Sequence, residues 1–275
     1  MNALARGAIM FLVAIWLQGI YLPLHGISYT QTPFWAGVYM LSMMIGTVIM
    51  GPIGGMLTDK FGARIFATID MIIVALSLYA LTLLPYNFNL IEFEIILFIN
   101  DLGNGLFSAP NTTAILNSLP SRDKGTGNGM RQTFNNIGST ISMALFFTIT
   151  ISFFVADLPS EIVTIGTEYG LPISLISFLK NIPASGLLFA AFLGIDPSSA
   201  LPKSIAQILP KSVLSLIDSE SFLPSLLGPA FINALRLSLY ISVALVLIGS
   251  IFSYMRGGRY VYEEDLKANE NKKRL

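Results

Sequence analysis

The chain predicts an all-α integral membrane fold: six transmembrane helices, with a long extracytoplasmic loop between the fifth and the sixth. Three observations carry that reading. The 275 residues are 53% hydrophobic and only 12% charged, about half the charged fraction of a soluble domain, and the mean hydropathy is +0.69. The apolar residues gather into runs close to the roughly 20 residues of helix that a bilayer core requires. The basic residues then fall almost wholly on one side of those runs.

The spans follow in order, a to f. Span a covers 7–25. It begins like a signal peptide, but the apolar run continues to about Leu24 without an A-x-A end, so it reads as retained. Span b covers 34–57, and Met40, Met43, Met44, Met50 and Met56 give it a pliable packing surface. Span c covers 65–84 and carries Asp70. Span d covers 92–116, e 134–156 and f 229–255. Two other stretches fall short. Residues 171–195 are interrupted by Lys180, Asn181 and Pro183, and 204–217 are short and amphipathic. The expected organisation is thus 1–156 with five spans, 157–228 as an outer loop with surface-lying amphipathic helices, 229–255 as the sixth span, and 256–275 as a mixed-charge tail.

A cytoplasmic N-terminus puts Arg6, Lys60, Arg64, Arg122, Lys124, Arg131, Arg256, Arg259, Lys267, Lys272, Lys273 and Arg274 inside. Only Lys180, Lys203 and Lys211 then lie outside, and Arg236 stays within span f. The positive-inside rule favours that orientation, with both termini cytoplasmic, and a plasma membrane is the natural site.

Between b and c stands Gly51-Pro-Ile-Gly-Gly-Met-Leu-Thr-Asp-Lys-Phe-Gly-Ala-Arg64. Gly54 and Gly55 let the end of span b approach a neighbour. Asp59 suits the positive end of the next helix. Gly62 permits a positive φ in the reversal, while Lys60 and Arg64 hold the turn at the cytoplasmic face.

Span d is the most polar run. Asn100, Asn104, Ser108 and Asn111 share one helical face, and Asp101 borders it. A carboxylate at bilayer depth costs about 2.5–3.5 kcal/mol on insertion scales, so Asp101 needs water or a partner. Two readings stay open: a cavity face on which Asp101 takes a proton or a cationic substrate, and a structural ion pair between Asp101 and Arg236. Asp70 is expected near the inner face in a structural role. Gln18 of span a bonds either a ligand or a neighbouring helix, and His25 lies at the outer interface. Asn135 and Asn136 either cap span e or line an inner mouth.

The string Gly55-Met-Leu-Thr-Asp59-Lys60-Phe-Gly62-Ala-Arg64 resembles the cytoplasmic signature loop of the major facilitator superfamily, G-x-L-a-D-r-x-G-r, which joins the second and third helices of a six-helix half. Gly103, Gly105 and Pro110 of span d, with Arg131 and Gly138 entering span e, resemble further patterns of its fourteen-span drug:proton antiporters, the EmrB/QacA type. So does the long outer loop. The resemblance implies one C-terminal half, built as a 3+3 inverted repeat of spans a–c and d–f. It also implies multidrug efflux of amphipathic organic solutes by alternating access, proton-coupled when paired with an N-terminal half. The path would take in Gln18, Asn100, Asp101, Asn104 and Ser108; Gly103, Gly105, Pro110, Arg131 and Gly138 would serve helix packing. The family's proton-coupling acid and its G-P-x-x-G-G motif belong to the other half, which these residues do not include. The expected partners are therefore the bilayer, a small amphipathic solute, protons, and a second six-helix half, either a separate chain or a second copy.

Other classes are less well served. With no cysteine and one histidine, thiolate metal sites and Cys nucleophiles are excluded, and no metal or cofactor is expected. Zero formal net charge gives no footprint for nucleic acid. An intramembrane aspartyl protease would need Asp70 and Asp101 to share a proton. Their expected depths differ, and Asp101-Leu-Gly-Asn-Gly105 reverses the G-x-G-D order, so no catalytic residue is assigned. A non-transporting scaffold of the same fold is the alternative that the residues do not separate from a transporter.

Overall fold

The computed structural model of the chain describes residues 9–195, 201–202, 205, 207, 209–255 and 262, without the side chains of Thr58, Asp59, Ala63, Phe107, Ala109 and Pro110. The helices are α1 (Ile9–Leu24), α2 (Thr32–Tyr39), α3 (Ser42–Phe61), α4 (Ala63–Leu83), α5 (Leu90–Asn117), α6 (Lys124–Glu168), α7 (Ile173–Asn181), α8 (Ala184–Leu193), α9 (Lys211–Ile217) and α10 (Phe222–Tyr254). Each of the six expected spans is helical. Four rods, Thr32–Leu57, Arg64–Leu83, Ser121–Glu168 and Phe222–Tyr254, are both long and apolar enough to cross a membrane. At 28 residues α5 is long enough but too polar to join them.

Apolar periodicity sets the packing order. Going through the bundle, α3 packs on α5, α5 on α4, α4 on α10, and α10 on α6. Helix α1 lies against α4 and α10, burying Leu12, Val13, Ile15, Trp16 and Leu17. At its far end the chain makes one π-helical turn, Leu17–Tyr21, just before Pro23. Proline has no N–H to return to Gly19, and a π turn absorbs such a break. Beyond it, Trp16, Tyr21, Phe88 and Phe93 form an aromatic cluster, with Tyr21 and Phe88 stacked at 4.1 Å. The Trp16 indole N–H donates to Tyr86 O at 3.0 Å.

The 157–228 segment differs from expectation. Helix α6 does not stop at 156. It runs 45 residues to Glu168, about 67 Å at 1.5 Å per residue, twice a bilayer core. Helix α10 likewise begins at Phe222, not 229. The projecting ends support each other: Asn233 Nδ2 donates to Asp157 at 3.1 Å, and Phe154 meets Phe231. Thr150 and Ser238 hydroxyls share a buried bond of 2.7 Å lower in that seam.

The break that Lys180, Asn181 and Pro183 signalled is present, and α7 and α8 meet at 95°. Helix α8 is not surface-lying, however. Its sequence ASGLLFAAFL is apolar all round, and Leu187, Leu188 and Ala191 are buried. It lies on the π turn of α1, where a Cβ on Gly19 would stand 3.4 Å from Phe192 Cα. Tyr29 pins the end of α8: its ring fills the space a Cβ on Gly194 would need, and its hydroxyl donates to Glu220 O at 3.1 Å. Burial, reinforced by Glu220, raises the Tyr29 phenol pKa well above its usual value.

The b–c turn was legible. Gly62 has φ 86° and ψ 153°, a region that glycine alone occupies readily. Gly62→Ala should therefore lower the melting stability of the detergent-solubilised protein by about 1–3 kcal/mol. Gly37, within α2 with open space around it, should gain up to about 1 kcal/mol as alanine. The same sign at both positions would refute this account of the turn. Arg6 and the basic residues of 256–274 lie outside the described residues, as does the side chain of Asp59.

Candidate functional site

Polar residues of α5 line its contacts with neighbouring helices. They stitch α5 to the helices on either side. Asp101 is 6% exposed, and its Oδ2 accepts from the Thr47 backbone N–H at 2.6 Å, in the second turn of α3. Asn104 Nδ2 donates to Thr47 Oγ1 at 3.3 Å. Asn100 faces the other neighbour, donating to Ser77 Oγ of α4 at 2.7 Å. At 100° per residue, 101 and 104 turn to α3 while 100 and 103 turn to α4. Ser108, nearer the inner end, is exposed.

Glycines let these groups meet. A Cβ on Gly46 would lie 2.5 Å from Leu102 N and 2.7 Å from Asp101 C. Two turns on, a Cβ on Gly54 would lie 3.1 Å from Gly105 O, and one on Gly105 would lie 2.7 Å from Met50 Cβ. The α3 and α5 backbones therefore touch through small residues, the usual way for membrane helices to gain dispersion contact. Gly103 does the same toward α4, where its missing Cβ leaves room for Asp70 Oδ1.

Two expectations are corrected here. The Asp101–Arg236 ion pair does not form. Arg236 Nε donates to Thr82 O at 2.9 Å and Nη2 to Leu84 O at 3.2 Å. The orphan carbonyls ending α4 capture the guanidinium, while α3 captures the carboxylate. Asp70 is also not remote from Asp101. It packs beside Gly103, two residues along α5, because α4 enters well inside the reach of the longer α5. The two carboxyls approach opposite flanks of α5, since two residues turn a helix by 200°.

Other site residues are dispersed. Gln18 is half-buried in the π turn of α1, which packs on α8 and α10, and it continues the more open stripe of Met10, Phe11 and Ala14. Arg131 is partly exposed, with Nε donating to Asn128 Oδ1 at 3.2 Å. Gly138 is half-buried, and Pro110 lies in α5 with its side chain undescribed. In the turn, Lys60 is exposed over the Phe61 ring, and the Arg64 guanidinium stacks 4.4 Å from the Tyr254 ring of α10. Gly55 is half-buried at the end of α3.

Sequence reading missed Thr47, Ser77 and Glu94. Glu94 stands two turns before Asp101 on the same flank, with Oε1 buried and without a hydrogen-bond partner. The Gly46–Gly54 spacing of two turns, matched by Gly105 opposite, was the available signal for the seam.

Residues 1–143, just over half of the chain, match the family model described as Major Facilitator Superfamily. The chain belongs to the Major Facilitator Superfamily. That membership makes it an integral membrane protein of a transporter family, not an enzyme. It is 33% identical over 140 residues to the uncharacterized MFS-type transporter YhcA of Bacillus subtilis (strain 168), covering 51% of the chain and 25% of that protein. It is 32% identical over 115 residues to the riboflavin transporter RibZ of Clostridioides difficile (strain 630), covering 42% and 25%. Over 251 residues it is 25% identical to the multidrug transporter protein MdtP of Bacillus subtilis (strain 168), covering 90% and 42%. The chain spans less than half the length of these curated relatives of the superfamily.

Proposed function

We propose that this chain supplies the C-terminal six-helix half of a drug:proton antiporter that expels amphipathic organic solutes across the plasma membrane, with both termini cytoplasmic. The second half, on the same polypeptide, another chain or a second copy, covers the faces that this one leaves open. Alternating access is then the rocking of one half on the other.

One observation carries the reading. The third and fourth turns of α6 are exposed on every side: Gln132, Thr133, Phe134, Asn135, Asn136 and Ile137 all face outward, and Gln132 Nε2 donates to Asn136 Oδ1 at 3.1 Å. Lipid satisfies apolar side chains but not amides. This end of α6 therefore calls for protein or a water-filled path. The stripe Met44, Ile45, Val48 and Ile49 on α3, with Leu41 just before it, is likewise exposed. The 42% coverage of a protein named a multidrug transporter supports the same assignment.

In this reading Asp101 and Glu94 are the acids on the seam that moves. Protonation would weaken the grip of Asp101 on Thr47 N–H and let α3 and α5 shift. The polar face 100, 104 and 108 would open to solute when they do. Ethidium accumulation in inverted vesicles with an acid lumen, the equivalent of efflux from the cell, tests the function. Efflux is expected when a second half is supplied, and only background with this chain as a verified monomer. Efflux by the monomer would overturn the two-half requirement. Absence of efflux with every second half, including a second copy, would favour a non-transporting scaffold.

A further inference from the structure

Arg236 is held at one end of the bundle and only partly neutralised. Its Nε and Nη2 donate to the Thr82 and Leu84 carbonyls, at the end of α4 opposite the glycine turn. Those carbonyls carry the negative pole of the α4 dipole, about half an elementary charge. A guanidinium has one full charge and five N–H donors. Among the described residues no carboxylate lies within ion-pair distance of it, and the residue is only partly buried. Because α4 ends here, the charge sits at the end of a rod long and apolar enough to cross a membrane.

The surface beside it is shaped for a lipid. One turn toward the membrane centre, Tyr240 on α10 and Tyr79 on α4 bring their rings to 6.4 Å across the α4–α10 seam. They are 46% and 48% exposed. Leu83 and Leu76 continue the exposed apolar wall along α4. A cation above a tyrosine pair above aliphatic side chains follows the headgroup, interface and acyl layers of a bilayer.

We propose that the α4–α10 seam binds one phospholipid. Its phosphate takes the unused guanidinium donors of Arg236, and one acyl chain lies across Tyr79 and Tyr240. A phosphatidylglycerol-type lipid is preferred over phosphatidylcholine, because its net negative charge answers the residual positive charge. The site lies on the lipid-facing flank, apart from the Asp101 seam, and stands whether or not the chain moves drugs.

Native mass spectrometry of the full chain in detergent, supplied with phosphatidylglycerol or phosphatidylcholine, tests this. The wild type should retain one phosphatidylglycerol per chain and little phosphatidylcholine. Arg236→Gln should cut retention about tenfold, as expected for losing charge-assisted bonds to an anion. Tyr240→Ala keeps the arginine and its carbonyls, and should give a smaller but clear drop; Met44→Ala, on the exposed face of α3, should give none. Equal retention by wild type and Arg236→Gln overturns the site. If Arg236→Gln does not fold, Tyr240→Ala decides, and wild-type retention there overturns it. Displacement of the lipid by excess inorganic phosphate would mark a free-anion site and overturn the lipid assignment.

Discussion

Replacing Gly46 by valine should dismantle the α3–α5 seam. Its first added carbon would fall 2.5 Å from Leu102 N and 2.7 Å from Asp101 C. These are backbone atoms of a packed helix, and no rotamer change relieves the overlap. Overpacking at side-chain contacts costs about 1–3 kcal/mol; here a whole helix must shift, so the cost lies at or above the top of that range. It would also carry Thr47 N–H away from Asp101 and pull Asn104 off Thr47 Oγ1. We expect Gly46→Val to yield little monodisperse protein by size-exclusion in mild detergent, and any that survives should melt far below wild type. Gly37→Val, in α2 with open space around it, should pass the same assay. Equal behaviour of the two valines would show that the helices do not approach as described.

Asp101→Leu should be the most damaging polar substitution. Leucine leaves Thr47 N–H without its carboxylate in a buried seam, at a cost of about 1–3 kcal/mol. It also removes the carboxylate by which α5 holds the Thr47 turn of α3. Asp101→Asn separates structure from titration: the amide oxygen still accepts from Thr47 N–H at the 2.6 Å position, but the group no longer takes a proton. The asparagine variant should fold, bind solute and pass it down a gradient, while pH-driven efflux falls to background. The leucine variant should lose both. Asn with full pH-driven efflux would remove Asp101 from the proton path and leave its role as a helix clamp. Loss of folding in both variants would show the clamp alone.

The six helical runs could be read because bilayer thickness imposes a length and lipid imposes apolarity, and both are local demands on sequence. The reversal at Gly62 was legible for a similar reason: one positive φ needs one residue type. The break before Pro183 followed from the missing N–H of proline. The ends of α6 and α10 were not legible, since polar residues past a membrane boundary look the same in a loop as in a projecting helix. Where the two helices run side by side, Asn233 bonds Asp157. Burial of α8 was hidden because its place on α1 depends on a contact between residues 19 and 192.

The candidate site divides in the same way. The sequence alone established that this is a membrane protein with a polar, glycine-interrupted fourth span, and that Asp101 must find a partner, because an unpaired charge at that depth is too costly. Which partner it finds was a tertiary decision. Asp101 and Arg236 are the obvious complementary pair in one dimension. In three dimensions each is closer to a backbone end or turn that already offers opposite polarity: Thr47 N–H in α3 for the acid, the α4 carbonyls for the base. Charge demands compensation, and only the packed bundle determines whether a side chain or a helix supplies it.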